Sequence, residues 1–222
     1  MAEALAAGVV EELYLDEEAV APVTAVPVQR VTAAVLAHLA DATTPQGIVA
    51  VARTPATTLE EIGPGVVVVL DQVADPGNAG TILRTADALG AAGVVLTRGS
   101  VDVYAPKTVR AAVGSTYHLP VVTGVTADHL AVFARDTGRR LVGLDAQAAH
   151  GLSALEEAGG HLALVLGNEA HGLDPATSVL LDAHVAIPLH PRAESLNVAA
   201  AAAIAIHAAV YPARPHDQEG AP

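Results

Sequence analysis

An α/β fold built on a mostly parallel sheet is predicted by three features of the sequence. Val66–Leu70 is an unbroken run dominated by β-branched residues, the pattern of a central strand covered on both faces. Beyond it, short aliphatic runs alternate with helical stretches as far as Val210, which is how successive βαβ units read. The composition agrees, because hydrophobic residues make up 52% of the 222 while there is one Phe and no Trp, so the core is aliphatic.

Taken in order, Ala2–Ala7 reads as the end of a helix, Glu12–Leu15 and Ala25–Val28 as strands, Arg30–Leu39 as an amphipathic helix and Gly47–Ala52 as a third strand. These elements make a small α/β domain, 1–53, too thin to be comfortable alone. From its abrupt start on a helix end, either a missing initial strand and helix or a true start lying upstream is expected. Residues 54–65 hold two prolines, two glycines and no periodicity, and are expected to be a linker.

The main domain is expected over 66–212, followed by a tail over 213–222. After Val66–Leu70, Asp75, Pro76 and Gly77 turn the chain, Asn78 caps a helix over Ala79–Leu89, and Gly90 stops it. Val94–Leu96 completes the first βαβ unit. Further strands are expected at Leu119–Val122, Leu141–Leu144, Leu162–Leu166 and His184–Ile187, with helices at Pro106–Ala112, Ala127–Thr137 and Pro175–Leu181. The last helix, Asn197–Val210, is built almost wholly of Ala, Ile and Val, so it is expected to be buried on every face. Its small side chains suit close approach to another element, or to its own copy in a second subunit. Ser195 and Asn197 before it are both standard N-cap types. Capping does not explain the irregular, proline-broken loop that precedes them, a place where function is commonly carried.

Several function classes are excluded. No apolar run approaches the ~20 residues of a bilayer-crossing helix. The first residues lack both a basic segment and a long apolar one, so no signal peptide is expected. Zero cysteines rule out disulfides and thiolate metal sites, which fits a cytoplasmic protein. The net charge of -13 is opposite to that of most nucleic-acid binders, with nine acids and two arginines in residues 1–62 alone. Only residues 84–110 are locally basic, with Arg84, Arg98, Lys107 and Arg110 against Asp87 and Asp102.

The turn after the first main strand, DPGNAGTILRTADALG, has neither G-x-G-x-x-G nor a P-loop lysine, which argues against a dinucleotide or NTPase site. Singly, Asn78 reads as a cap and Arg84 as a solvated arginine with Asp87 three residues on. The loop Gly167–Asp174, GNEAHGLD, sets Glu169 at the C-terminal edge of a parallel sheet, where α/β proteins place ligands. His171 near Glu169 matches no zinc spacing, and no metal is expected.

Three motifs taken together are far more specific. N-x-G-x-x-x-R-T (Asn78–Thr85), G-x-E-x-x-G (Gly167–Gly172) and I-P-x(7)-S-L-N-V (Ile187–Val198) stand in the order and spacing of the SpoU family of RNA 2'-O-methyltransferases, in the SPOUT superfamily. The chain resembles that family over roughly residues 62–210. LADATTPQGIVAV, at Leu39–Val51, resembles the ribosomal-protein-like domain that often precedes the catalytic domain and helps bind RNA, here as a shortened copy.

The resemblance implies a C-terminal trefoil knot holding S-adenosylmethionine, and a homodimer whose sites are completed across the interface. It implies cofactor contacts from Gly167, Ile187 and Leu196, and assistance from Arg84 in removing the ribose 2'-OH proton. Asn78, Glu169, Ser195 and Asn197 are implied to shape the pocket. The substrate implied is RNA, with ribosomal RNA ahead of tRNA. The alternative is a paralogue that keeps the fold but only binds RNA or cofactor. His190–Glu194 depart from the glycine or serine that relatives commonly carry there.

Overall fold

The computed structural model describes residues 1–40, 46–157 and 160–212. Part of the expected LADATTPQGIVAV segment, residues 41–45, and the whole expected tail, 213–222, lie outside them. The chain divides into two compact units, Met1–Ala56 and Thr57–Pro222. No helix among the described residues is long and apolar enough to cross a membrane.

In the smaller unit, α1 (Ala2–Ala6) leads to β1 (Val10–Asp16), β2 (Val28–Val31), α2 (Ala33–Ala40) and β3 (Ile48–Ala52). The strands form a sheet in the order β2-β1-β3, with β2 parallel and β3 antiparallel to β1. The second strand begins three residues later than the expected Ala25–Val28. Pro22 and Pro27 cannot donate to a ladder, and the strand starts directly after Pro27, whose carbonyl accepts from the Leu13 N–H at 2.9 Å. Leu13, Leu15 and Leu36 are fully buried and form this unit's core.

The larger unit opens with a short 3-10 turn, Leu59–Glu61, fixed by a capping box between Thr58 and Glu61. Ile62 is buried in the core, and the Gly63 and Gly65 carbonyls accept from the Arg139 guanidinium, which lies 5.1 Å over the Phe133 ring. Burial holds the Arg139 pKa below its usual value. Residues 57–65 of the expected linker are thus packed on the larger unit.

There follow β4 (Val67–Leu70), α3 (Pro76–Ala88), β5 (Gly93–Thr97), α4 (Pro106–Ala112), β6 (Val121–Val125), α5 (Ala127–Thr137), β7 (Arg140–Leu144), α6 (Ser153–Glu157), β8 (Leu162–Leu166), α7 (Pro175–Ser178), β9 (Ala183–Val185) and α8 (Val198–Val210). The six strands form one sheet, β6-β5-β4-β8-β7-β9, and every pairing in it is parallel. The α/β fold with a mostly parallel sheet is therefore observed. Residues in β4, β5 and β8 are buried throughout, with alternate side chains entering two aliphatic clusters on opposite faces.

Some boundaries differ from expectation for identifiable reasons. Asp75, not Asn78, is the N-cap of α3: its carboxylate accepts from the Asn78 N–H at 2.8 Å, and Pro76 fills the first turn. α7 is one turn rather than a helix to Leu181. β9 starts one residue early and ends at Val185, after the Asp182 carboxylate accepts from the Leu141 N–H at 2.7 Å. α6 was not expected, since five residues are too few to display a helical period. α8 is buried on one side only. Ala199, Ala202, Ala205, Ile206 and Ala209 face the core, while Ala200, Ile204, His207 and Tyr211 form an exposed stripe. All-round apolarity does not bury the outer face within a single chain.

Candidate active site

The C-terminal ends of β7 and β8, β9 with the loop after it, and the first turns of α3 and α8 surround a cavity of about 790 Å³, within the size range of small-molecule sites. Gly167, Glu169, Ile187, Ser195, Leu196, Asn197 and Asn78 all line it. Seven of the eight residues singled out in the sequence, from positions 78 to 197, are thus brought to one cavity. Arg84 is not. It is exposed on α3, two turns beyond Asn78, and does not line the cavity of its own chain. Nor does Asp87 hold it, since that carboxylate is 2.8 Å from His118 Nδ1. Among the described residues the Arg84 guanidinium has no partner.

Hydrogen bonds join the three motifs. Asn78 Nδ2 donates to Glu169 Oε1 at 2.9 Å, and Asn197 Nδ2 donates to Asn78 Oδ1 at 3.0 Å. Glu169 also accepts from the Ala74 N–H at 3.3 Å and the Asp75 N–H at 3.4 Å. Burial pushes the Glu169 carboxyl up, but the Asn78 amide and the N–H groups of Glu169, Ala74 and Asp75 outweigh it and hold the pKa below the usual carboxylate value. Asn197 has a second task, because its Oδ1 accepts from the Ala199 and Ala200 N–H groups and caps α8. Ser195 lines the cavity without capping.

Close approaches explain two of the motif glycines, Gly167 and Gly80. A Cβ on Gly167 would lie 2.4 Å from the Gly172 carbonyl carbon, where Asn168 and Gly172 exchange a pair of backbone hydrogen bonds that closes the loop. A Cβ on Gly80 would lie 2.5 Å from Ala111 Cβ, so only glycine lets α3 and α4 pack at this distance.

Sequence reasoning did not single out Asp145, His184 and Leu144, which also line the cavity. Nor did it single out Asp71 and Gln72 behind it. The signal available was position alone, since each follows or lies in a strand at the sheet's carboxyl edge. The lining combines aliphatic walls (Leu144, Leu166, Leu173, Leu189) with two carboxylates, Asp145 and Glu169, and contains neither Lys nor Arg. That donor set suits a ligand with an apolar face and a positive charge, as a sulfonium nucleoside has.

Residues 65–207 match the model of the SpoU rRNA methylase family. The chain is 34% identical over 203 residues to the 23S rRNA (guanosine(2553)-2'-O)-methyltransferase RlmP of Bacillus subtilis, covering 90% of this chain and 80% of that one. To the 23S rRNA (adenosine(1067)-2'-O)-methyltransferase of Streptomyces laurentii it is 40% identical over 144 residues, 64% of this chain and 53% of that one. The chain therefore spans about half the length of this second relative. The crystal structure of the SpoU methyltransferase AviRb from Streptomyces viridochromogenes in complex with AdoMet superposes with a TM-score of 0.85 at 31% identity, covering 94% of this chain and 85% of that one.

Proposed function

The chain belongs to the SpoU rRNA methylase family, and from that premise we propose that it methylates a ribose 2'-hydroxyl of ribosomal RNA in the cytoplasm, using S-adenosylmethionine and no metal. The observation that carries the reading is the joining of Asn78, Glu169 and Asn197, one from each motif, in the wall of a single cavity. The curated relatives RlmP and the S. laurentii enzyme are both 23S rRNA 2'-O-methyltransferases by name, which puts ribosomal RNA ahead of tRNA.

S-adenosylmethionine supplies an electrophilic methyl group on a sulfonium. Gly167, Ile187 and Leu196, which line the cavity, would hold it, and the cavity's carboxylates suit its charge. The chain's remaining task is to place a 2'-oxygen in line and to help it lose its proton. Arg84 is assigned to that task. A guanidinium is always protonated, so its part is to hold an adjacent phosphate in bidentate fashion, and that phosphate orients the ribose and accepts the 2'-OH proton as the methyl group is transferred.

Arg84 lies outside its own chain's cavity, which supports a site completed by a second subunit. The exposed stripe of Ala200, Ile204, His207 and Tyr211 on α8 is the surface assigned to that homodimer contact. The chain leaves β9 at one sheet edge, its Ala186 N–H bonds to the His150 carbonyl at 2.8 Å, and it returns to set α8 against α3 and β8. This path supports a C-terminal trefoil knot.

RNA is assigned to the larger unit. Arg84, Arg98, Lys107 and Arg110 are all exposed there, Lys107 with its ammonium 3.8 Å from the Asp75 carboxylate. In Met1–Ala56, by contrast, Arg30 is turned onto the Asp16, Glu17 and Ala19 carbonyls and Arg53 pairs with Glu11 at 3.4 Å. Any RNA contact by the smaller unit then rests on groups other than these two arginines. Mass-spectrometric mapping of 2'-O-methylated nucleotides in RNA from cells with and without the gene tests the reading. Loss of one ribosomal 2'-O-methyl mark is expected, and an unchanged map overturns it.

A further inference from the structure

β4 is followed directly by a residue that the chemistry above does not use. Asp71 is only 1% exposed, and no cation compensates it among the described residues. Its carboxylate is instead satisfied by three neutral donors. Oδ1 accepts from the Thr97 hydroxyl at 2.9 Å and the Thr177 hydroxyl at 3.0 Å, and Oδ2 accepts from the Asp174 N–H at 2.8 Å. Thr97 and Thr177 are themselves buried. Gln72, held at φ 57°, adds two more ties: its carbonyl accepts from Asn168 Nδ2 at 2.8 Å, and its Nε2 donates to Asp174 Oδ2 at 2.7 Å.

A buried carboxylate is costly, and an apolar residue here would continue the Val67–Leu70 run at lower cost. What the carboxylate does is join the end of β4 and β5 to the C-terminal end of one segment, Gly167–Thr177, whose other end is tied to Gln72 through Asn168 and whose loop forms a wall of the cavity and carries Glu169. We propose that Asp71, acting through Thr177 and Asp174, is a positioning residue that fixes the Gly167–Asp174 loop in its cofactor-binding form. The inference rests on the assignment of this cavity to S-adenosylmethionine. Asp71 touches no substrate; it sets where the loop's backbone groups and Glu169 stand.

The test is calorimetric titration of the full chain with S-adenosylmethionine, alongside thermal unfolding. Asp71 itself is avoided, since its loss endangers folding. Thr177→Val removes one hydroxyl donor and keeps the shape, and Thr177→Ser restores the donor. Val122→Ala, in the edge strand β6 at the far side of the sheet, serves as a general destabilisation control. Thr177→Val is expected to bind about tenfold more weakly. Thr177→Ser and Val122→Ala are expected to bind as wild type does. Wild-type affinity in Thr177→Val, or an equal loss in Val122→Ala, overturns the positioning role while leaving the cofactor assignment intact. Absence of binding by the wild type overturns that assignment and this role with it.

Discussion

Asn78 and Glu169 lie 91 residues apart in the chain and meet through a hydrogen bond of 2.9 Å, with Asn78 Nδ2 as donor. One amide thereby ties the start of α3 to the loop after β8 and helps keep the Glu169 carboxyl ionised. The carboxyl's folded pKa lies below its ordinary value, so the stability it contributes is fully present above that ordinary value and is lost as pH falls through the lower, folded one. Asn78→Ala removes a hydrogen bond that stabilises the ionised form. Acid unfolding of Asn78→Ala is expected to begin at higher pH than in the wild type, and S-adenosylmethionine binding to fall off at higher pH as well. Circular dichroism and calorimetry across pH 3–7 check both shifts.

Asn197 allows its two tasks to be separated. Asn197→Asp keeps an acceptor for the Ala199 and Ala200 N–H groups but loses the donor to Asn78 and adds charge near Glu169. Thermal stability is expected to hold within about 1 kcal/mol, while cofactor affinity falls about tenfold. Asn197→Ala is expected to lose both, the cap accounting for about 1 kcal/mol.

Ile204 is 42% exposed in the middle of the α8 stripe. A glutamate there leaves the core-facing side of the helix untouched. Ile204→Glu is expected to give monomer or aggregate in sedimentation velocity, and a soluble dimer would count against α8 as the subunit contact.

Arg84 separates a methyltransferase from a knotted protein that only binds. Arg84→Ala is expected to keep cofactor affinity and dimerisation, since Arg84 lines no part of its own cavity, while single-turnover methylation falls by about a hundredfold or more. Arg84→Lys keeps the charge but loses the planar fork, so a severe defect is expected there too. Equal rates in all three proteins would remove Arg84 from the reaction.

The sheet was legible because Val66–Leu70 and Leu162–Leu166 are aliphatic runs of only five residues, each with a glycine at one end, too short for a buried helix and suited to strands covered on both faces. Cap assignment at α3 failed because Asp75 and Asn78 are both good cap types, and only the fold decides which side chain reaches which N–H. α8 illustrates a different limit: a sequence apolar all round does not say which side meets its own core and which stays exposed. The cavity was legible through the family resemblance that the three motifs carry, and residues from all three line it. Asp71 was not, because an acid after an apolar run looks like any turn residue until Thr97, Thr177 and Asp174 are folded around it.

The most direct measurement incubates purified protein, stripped of metal and kept in chelator, with 23S ribosomal RNA and isotope-labelled S-adenosylmethionine, and maps the product by mass spectrometry. The expected result is one labelled methyl group on a ribose 2'-oxygen at a single nucleotide, formed at an undiminished rate without metal. No transfer to RNA by a protein that binds the cofactor, or a methyl group on a base, would contradict ribose 2'-O-methylation as the function of this chain.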